Sequence, residues 1–292
     1  MSKTWFITGA SAGLGRMMTE RLLARGDRVV GSVRREDALE DLQRQYGDRL
    51  MAVMLDLTDR TGIRAAVDNA FARMSRIDNV VSNAGYGLFG AAEEVTDDQI
   101  DHQIATNLTG SIALIRAALP HLRLQGGGRI VQVSSEGGQI AYPNFSLYHA
   151  TKWGIEGFIE AVAQEVAAFG IDFLIIEPGP TATNFGAGLV QAAPMEIYKD
   201  SPAGEMRRIL ADGSWKIKGD AGQTVEAMIT VADQKKPPFR LALGSSAYDG
   251  ISRALEQRLT EVREQREVAY SADSKLFNND ETIMPDNSAN RA

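Results

Sequence analysis

The sequence predicts a doubly wound α/β fold, with one parallel sheet of about seven strands and helices on both faces. Short runs rich in valine, isoleucine and leucine alternate with segments of helical periodicity along the whole chain. Most of these runs are apolar throughout, as expected of strands that helices cover on both sides. The runs lie at 3–8, 28–33, 51–55, 78–82, 129–134, 171–177 and 239–243. In such sheets, ligands bind beyond the carboxyl ends of the strands.

Length and composition agree with a single domain. The chain has 292 residues, of which 44% are hydrophobic and 24% charged, enough to bury a full core. The net charge of −7 and the lack of a basic run argue against a nucleic-acid partner. There are no cysteines, so disulfides and thiolate chemistry are excluded, and the three histidines show no metal-ligand spacing. No metal is expected.

The same sequence predicts a protein of the cytoplasm. A strand-like run starts at Lys3, which leaves no room for a signal peptide. No apolar stretch approaches the roughly 20 residues needed to span a bilayer, so no membrane partner is expected.

The first strand leads into a glycine-rich turn. Residues 8–15 read Thr-Gly-Ala-Ser-Ala-Gly-Leu-Gly, a helical pattern follows from Arg16, and Gly26 precedes the second strand. This strand–turn–helix–strand order is the βαβ unit of a Rossmann-type dinucleotide site, whose glycines let the backbone and the helix N-terminus approach a pyrophosphate. The predicted cofactor contacts in the turn are Gly9, Ser11, Gly13, Leu14 and Gly15.

The end of the second strand indicates which dinucleotide binds. An acid about twenty residues after the turn selects NAD, whereas arginine suits the 2′-phosphate of NADP. The chain has Arg34 and Arg35 there, and guanidinium groups bind phosphate in bidentate fashion. NADP is therefore predicted over NAD, with Arg34 as the main contact and Arg35 as the second. The alternative is that these arginines pair with Glu36, Asp37 or solvent.

Tyr148 and Lys152 lie four residues apart in a segment that follows the strand run ending near Ser134. On a helix, positions i and i+4 share one face, so the ammonium is expected to lower the pKa of the phenol and fit it for acid–base catalysis. The pair alone is weak evidence, because such spacings also arise by chance.

A wider set of motifs strengthens the evidence that Tyr148 and Lys152 are catalytic. It consists of Thr8, Gly9, Gly13, Gly15, Asn83, Ala84, Gly85, Asn107, Ser135, Tyr148, Lys152, Pro178 and Gly179. This ordered series, with Tyr148 thirteen residues after Ser135, resembles the motifs of the short-chain dehydrogenases/reductases. The resemblance is close over 3–185 and loose over 220–245, and it points to a ketoreductase or hydroxysteroid dehydrogenase-like branch.

The resemblance implies an NADP-dependent carbonyl reductase or alcohol dehydrogenase that moves a hydride between the nicotinamide and a ketone or secondary alcohol. Tyr148 would be the general acid/base, Ser135 would stabilise the oxygen, Lys152 would also bind the nicotinamide ribose, and Asn107 would hold a proton-relaying water. Further cofactor contacts are implied at Asp56, Leu57, Asn83, Ala84, Gly85, Tyr148, Lys152, Pro178, Gly179, Thr181 and Thr183. Asp56 alone would equally suit a helix cap.

The substrate is expected to bind near an irregular segment. Residues 180–220 are rich in glycine and proline, which predicts a substrate loop or lid. The alternative is a surface loop without a function. Tyr142, Phe145 and Phe185 are the candidate substrate contacts, and they favour an apolar ketone or alcohol.

The domain is predicted to span 1–270. Its C-terminal helix, at 245–270, carries a narrow apolar stripe that packs either on its own domain or against a second subunit. A homodimer or homotetramer is the expected assembly, and 271–292 is predicted to form a mobile tail.

Two other functions fit parts of the pattern. A nucleotide-sugar epimerase or dehydratase uses similar tyrosine–lysine chemistry but usually has a larger C-terminal sugar-binding region. A non-enzymatic dinucleotide sensor would bind the cofactor without turnover, and it would be expected to lack Tyr148 or Lys152, both of which are present.

Overall fold

The predicted doubly wound sheet is confirmed by the computed structural model, which describes residues 2–273. In chain order the strands are β1 (Thr4–Ile7), β2 (Arg28–Val33), β3 (Leu50–Met54), β4 (Asn79–Ser82), β5 (Leu88–Phe89), β6 (Gly128–Val133), β7 (Ile171–Pro178), β8 (Val190–Gln191) and β9 (Arg240–Leu243). Seven of them form one parallel sheet in the order β3-β2-β1-β4-β6-β7-β9. All seven predicted strands are present, with bounds within one residue of those expected.

Helices connect the strands and cover both faces of the sheet. They are α1 (Gly13–Ala24), α2 (Glu40–Tyr46), α3 (Arg60–Met74), α4 (Asp97–Ile104), α5 (Gly110–Leu124), α6 (Ser146–Val166), α7 (Pro202–Ala211), α8 (Ala221–Ala232), α9 (Ser245–Glu264) and α10 (Arg266–Ser271). A single π-helical turn, Ala105–Thr109, joins α4 to α5. No helix within residues 2–273 is long and apolar enough to cross a membrane.

Two apolar layers enclose the sheet because successive strand side chains point to opposite faces. In β1, Trp5 and Ile7 pack into the layer formed with α1 and α8, while Phe6 packs into the layer formed with α3, α5 and α6. All three side chains are fully buried. This two-sided burial explains the continuous apolar runs in the sequence.

The segment at 180–220 folds back over the carboxyl ends of the strands. Its short strand β8 pairs with β5, and Thr181 forms an isolated bridge with Gly219. The buried Glu94 carboxylate holds the segment: it accepts hydrogen bonds from the Met195 amide at 2.8 Å and pairs with Arg207 at 2.5 Å. The segment is thus a tethered cover with its own helix, α7.

The C-terminal region is two helices rather than the single one predicted at 245–270. Ala247 and Ile251 of α9 are buried, whereas Leu255 and Leu259 are about half exposed and Val262 is exposed. The N-terminal part of α9 therefore packs on its own domain, and the rest of its apolar stripe faces outward. The predicted tail, 271–292, lies outside the described residues from 274 onward.

Candidate active site

One cavity of about 860 Å³ runs along the carboxyl ends of the strands and under the cover segment. Most of the predicted site residues line it together: Gly9, Ser11, Gly13, Leu14, Arg34, Asp56, Leu57, Asn83, Ala84, Gly85, Ser135, Tyr142, Phe145, Tyr148, Lys152, Pro178, Gly179, Thr181, Thr183 and Phe185. Three predicted residues, Gly15, Arg35 and Asn107, are absent from the cavity wall. The volume falls within the usual range for small-molecule and cofactor sites.

The glycine turn has the shape that a dinucleotide needs. Gly9 and Gly13 have positive φ angles of 69° and 53°, which side-chain-bearing residues rarely adopt. Gly15 lies behind the turn, where a Cβ would press on the Gly9 carbonyl oxygen. No side chain caps the N-terminus of α1, so its backbone N–H groups remain available to an anion. These features fit a bound pyrophosphate.

Thr8 ties this turn to the segment after β4. Its hydroxyl accepts hydrogen bonds from the Asn83 and Ala84 amides at 2.9 and 3.0 Å, and the Asn83 side chain donates to the Thr8 carbonyl at 2.8 Å. The two walls of the cofactor groove are therefore held at a fixed separation.

The two candidate arginines have different surroundings. Arg34 lines the cavity, whereas Arg35 is exposed and lies 3.8 Å from Asp37. The structure thus does not bring Arg35 into the groove, and its surroundings match the alternative of pairing on the surface. Asp56 lines the cavity, and its hydrogen bonds from Thr58, with a smaller contribution from Arg34, hold its pKa below the usual value. Asp59, not Asp56, caps α3.

Tyr148 and Lys152 share the buried face of α6. The ammonium lies 5.5 Å from the centroid of the phenol ring and donates a hydrogen bond to the Val133 carbonyl at 2.9 Å. Residue 133 ends β6, two positions before Ser135. The helix therefore places Tyr148 and Lys152 beside Ser135, at the end of one central strand.

The expected lowering of the Tyr148 pKa by Lys152 is not found in this geometry. Burial raises the pKa of Tyr148 to about 12, Ser135 lowers it by hydrogen bonding, and the nearby Glu136 raises it. Burial also lowers the pKa of Lys152 to about 8, against a favourable effect of Glu156. Burial is the largest cause of both pKa shifts, and the spacing of the two residues along the chain does not reveal it. Tyr148 is consequently a protonated phenol, the form that donates.

Asn107 lies behind the cavity wall in the π-helical turn. Its side chain accepts from the Tyr86 amide at 3.1 Å and donates to the Tyr86 carbonyl at 2.8 Å. The side-chain oxygen and nitrogen of Asn107 thus both bond the Tyr86 backbone, and they hold the segment that follows Gly85 in place. Single π turns within helices are frequent at functional sites.

Aromatic side chains line the substrate end of the cavity. The Phe185 ring centre lies 5.7 Å and the Phe145 ring centre 6.1 Å from that of Tyr148. Tyr142 meets Trp215 edge to face at 6.0 Å. The cover segment adds residues that the sequence did not single out: Met206, Leu210, Trp215 and Ile217. Their position in the predicted lid was the one sequence feature that favoured a substrate contact. The helical spacing of Met206 and Leu210 in α7 is equally typical of ordinary packing.

Glu136 is a further residue that the sequence analysis missed. It directly follows Ser135, lines the cavity and is 3% exposed. Its Oε1 accepts the Tyr142 hydroxyl at 2.8 Å, and burial raises its pKa. No sequence signal marks it, because a single acid after the motif serine forms no pattern.

A second acidic group lies behind the catalytic strand. Glu156, one turn after Lys152, accepts the Ser134 hydroxyl at 2.5 Å and pairs with Arg240 at 2.5 Å. Arg240 also pairs with Glu177 at 2.6 Å and with Glu160 at 2.8 Å. The edge strand β9 is thereby joined to α6 and β7. Residues 2–273 contain no group of three or more acids and histidines placed to hold a metal ion.

The parallel sheet, the glycine turn at β1–α1 and the serine–tyrosine–lysine wall define a dinucleotide-dependent oxidoreductase. Comparison with known proteins agrees. The family model described as short chain dehydrogenase matches residues 3–193. The chain belongs to the short-chain dehydrogenase family, whose members use a nicotinamide cofactor.

Similar proteins come from fungi and bacteria. An oxidoreductase of Botryotinia fuckeliana, named BOA17, is 34% identical over 273 residues, covering 93% of this chain and 100% of that protein. A short-chain dehydrogenase of Streptomyces avermitilis has a crystal structure that superposes with a TM-score of 0.85 at 38% identity, covering 93% of this chain and 98% of that one. A 3-ketoacyl-(acyl-carrier-protein) reductase of Brucella melitensis, solved with NADH, superposes with a TM-score of 0.69 at 25% identity, covering 82% and 96%.

Proposed function

We propose that this oxidoreductase is a carbonyl reductase or alcohol dehydrogenase that prefers NADP and acts on ketones or secondary alcohols. The observation that carries the proposal is the meeting of Ser135, Tyr148 and Lys152 at one wall of a cavity that also holds the glycine turn. A carbonyl oxygen at this wall would have two hydroxyl donors within reach of the same atom.

The chain's own residues would perform the proton chemistry. When bound, the nicotinamide supplies the hydride that adds to the carbonyl carbon. Tyr148, protonated below a pKa of about 12, donates its proton to the carbonyl oxygen, and the Ser135 hydroxyl stabilises the charge that develops there. Lys152, held against the Val133 carbonyl, would bind the nicotinamide ribose. A relay water would lie beside Asn107 and bond to groups other than its side-chain amide, which Tyr86 occupies at both ends.

The cofactor groove supports NADP over NAD through one residue. Arg34 projects from the end of β2 into the groove, where the ribose next to the adenine is expected. Its guanidinium would meet the 2′-phosphate, while Asp56 and Leu57 would flank the adenine. At the other end, Thr181 and Thr183 would hold the carboxamide.

An apolar substrate is favoured by the lining of the cavity. Phe145 and Phe185 flank the Tyr148 ring, Tyr142 lines the same cavity, and the cover segment adds Trp215. The resemblance to a reductase of 3-ketoacyl groups supports ketone reduction. The cover segment would act as the lid that closes over the substrate.

The test is NADPH oxidation across a panel of ketones, with NADH alongside. Turnover of one or more ketones supports the proposal. Tight cofactor binding without turnover of any ketone or alcohol would instead indicate a dinucleotide sensor. An epimerase is not favoured, because among the described residues the chain continues after β9 with two helices rather than a sugar-binding region.

The assembly and location also stay proposals. A homodimer or homotetramer is supported by the outward-facing stripe of Leu255, Leu259 and Val262 on α9, and light scattering would measure the mass in solution. The cytoplasmic location predicted from the sequence remains to be tested by cell fractionation.

A further inference from the structure

His149 directly follows Tyr148 on α6, and its side chain belongs to the cavity wall. The residue is 6% exposed. The ring centres of Tyr142, Phe145 and Tyr148 lie 5.7, 6.0 and 5.9 Å from that of the imidazole. The proposed reaction uses the tyrosine but gives the histidine no task. A buried titratable group at this wall therefore needs an explanation of its own.

Both ring nitrogens of His149 bond to the backbone of the segment between β6 and α6, residues 134–145. Nδ1 lies 2.8 Å from the Gly137 carbonyl oxygen, and Nε2 lies 3.0 Å from the Tyr142 amide nitrogen. A carbonyl can only accept and an amide N–H can only donate. The ring must therefore carry a proton on Nδ1 and none on Nε2. Burial, which lowers the pKa of His149, agrees with this neutral form.

The contact with Gly137 leads to Ser135. The Gly137 amide donates to the Ser135 Oγ at 3.0 Å, so the hydroxyl keeps its own proton to donate toward Tyr148, whose pKa it lowers. A Cβ at Gly137 would lie 2.5 Å from the imidazole Nδ1 and 3.3 Å from the Ser135 Oγ. The ring and the hydroxyl thus lie against the same glycine, and His149 holds the residue that orients Ser135.

The contact with Tyr142 serves another part of the cavity. The Tyr142 ring lines the substrate end and meets Trp215 of the cover segment edge to face. Its backbone N–H is held by Nε2 of His149. One ring thus makes two contacts that lead to different places: the donor leads to the serine hydroxyl, and the acceptor leads to the substrate wall.

We infer that His149 is a positioning residue whose Nδ1–H orients the Ser135 hydroxyl through Gly137. Its Nε2 holds the substrate wall through Tyr142. The inference rests on the proposed reaction, in which Ser135 stabilises the carbonyl oxygen. The imidazole itself moves no proton, because backbone groups occupy both of its nitrogens.

Two amide variants separate the two contacts, with NADPH and a ketone that the wild-type enzyme reduces. His149→Asn places an amide near the position of Nδ1 and can keep the donor to Gly137. It should raise KM about 3- to 10-fold with kcat kept within about 3-fold. His149→Gln places an amide near the position of Nε2 and can keep the acceptor for Tyr142. It should lower kcat about 10- to 100-fold with KM kept within about 3-fold.

A surface histidine supplies the matched control. His121 pairs with Asp68 and lies outside the cavity, so His121→Gln should keep the wild-type kcat and KM. The same change of constants in His149→Asn and His149→Gln, or no change in either, would overturn the inference.

A double-mutant cycle tests whether the effect on kcat passes through Ser135. Ser135→Ala should by itself lower kcat about 100- to 1,000-fold. In that background His149→Gln should lower kcat by less than about 3-fold, because the hydroxyl that the ring orients is gone. Losses that multiply in the double variant would show that the ring acts elsewhere, and they would contradict the assignment.

A measurement without turnover separates this inference from the proposed reaction. Nuclear magnetic resonance of the full chain, labelled with ¹⁵N in its three histidine rings, reports the tautomer of each ring, and His149→Gln identifies the signal of His149. The expected result is a neutral ring protonated on Nδ1. A ring protonated on Nε2, or on both nitrogens, would overturn the inference and leave ketone reduction intact. Absence of turnover with any ketone would instead overturn the proposed function, while the tautomer would still decide the contacts of the ring.

Discussion

The Lys152 ammonium lies over the ring of Tyr148, 5.5 Å from its centroid. It donates to the Val133 carbonyl, and its other electrostatic support comes from Glu156, one helical turn further along. The lysine is therefore held by the protein in a position that costs stability, because a buried charge is poorly solvated. Such a residue is kept for its function.

Replacing Lys152 with methionine should raise stability and abolish activity. The folded-state pKa of about 8 lies below the 10.5 of an unfolded chain. Between these values the unfolded state binds more protons, so this residue makes the free energy of unfolding increase with pH from about 8 to 10.5. At pH 7, Lys152→Met should stabilise the fold by about 1–3 kcal/mol, measured by urea denaturation. A loss of stability, or an unchanged pH slope, would contradict the assigned desolvation.

Arg34 should determine the choice of cofactor, and Arg35 supplies the matched control. Arg34→Ala should weaken NADPH binding by about 10- to 100-fold and NADH binding by less than about 3-fold, because one charge-assisted phosphate contact is lost. Arg35→Ala removes the same charge outside the cavity and should leave both affinities nearly unchanged. Fluorescence titration measures all four constants. Equal weakening of both cofactors in Arg34→Ala would rule out a 2′-phosphate contact.

Glu177 should make the fold less stable as the solution becomes neutral. Burial, with repulsion from Glu156, raises its pKa to about 7 from 4.5. The folded state binds more protons between these values, so the contribution of Glu177 to the free energy of unfolding falls as pH rises from 4.5 to 7. Glu177→Gln should remove this slope and stabilise the fold at pH 8 by about 1–3 kcal/mol.

The control for Glu177 is a neighbour on the same guanidinium. Glu160 also pairs with Arg240, but its side chain is 40% exposed. Glu160→Gln should change the free energy of unfolding by less than about 1 kcal/mol. If the two variants have the same pH profile in thermal denaturation, burial is not the cause.

The cover segment should loosen when its anchor is removed. Arg207 pairs with the buried Glu94 and lies over the Phe89 ring, so Arg207→Met leaves a buried carboxylate without its partner. KM for a ketone should rise about 3- to 10-fold with little change in cofactor affinity, because the lid covers the substrate end. Lys199→Met, which breaks an exposed pair in the same segment, should leave KM unchanged. A matching rise in both variants would argue against a specific anchor.

The sheet could be predicted from the sequence because its causes are local. Two-sided burial gives continuous apolar runs, and the glycine turn has a spacing that few other structures require. The two-residue strands β5 and β8 could not be predicted, since two residues carry no periodicity. Their pairing depends on how the cover segment folds back, which is a tertiary effect.

Most of the predicted site residues line one cavity, but their electrostatics could not be predicted from the sequence. The spacing of Tyr148 and Lys152 correctly predicted that they share one face of a helix. The shifts of their pKa values depend on burial, which cannot be read from spacing along the chain. Arg34 was predicted as the main phosphate contact and Arg35 as the second; only Arg34 lines the groove, and Arg35 lies on the surface near Asp37. Glu136 was missed because a single acid carries no pattern.

The central claim is that the Tyr148 hydroxyl donates the proton to the reacting oxygen. The most direct measurement is the rate of NADPH oxidation by Tyr148→Phe, with a ketone that the wild-type enzyme reduces and with cofactor affinity measured in parallel. The account predicts a fall in kcat of about 100- to 10,000-fold with NADPH affinity kept within about 3-fold. Turnover by Tyr148→Phe at the wild-type rate would contradict it.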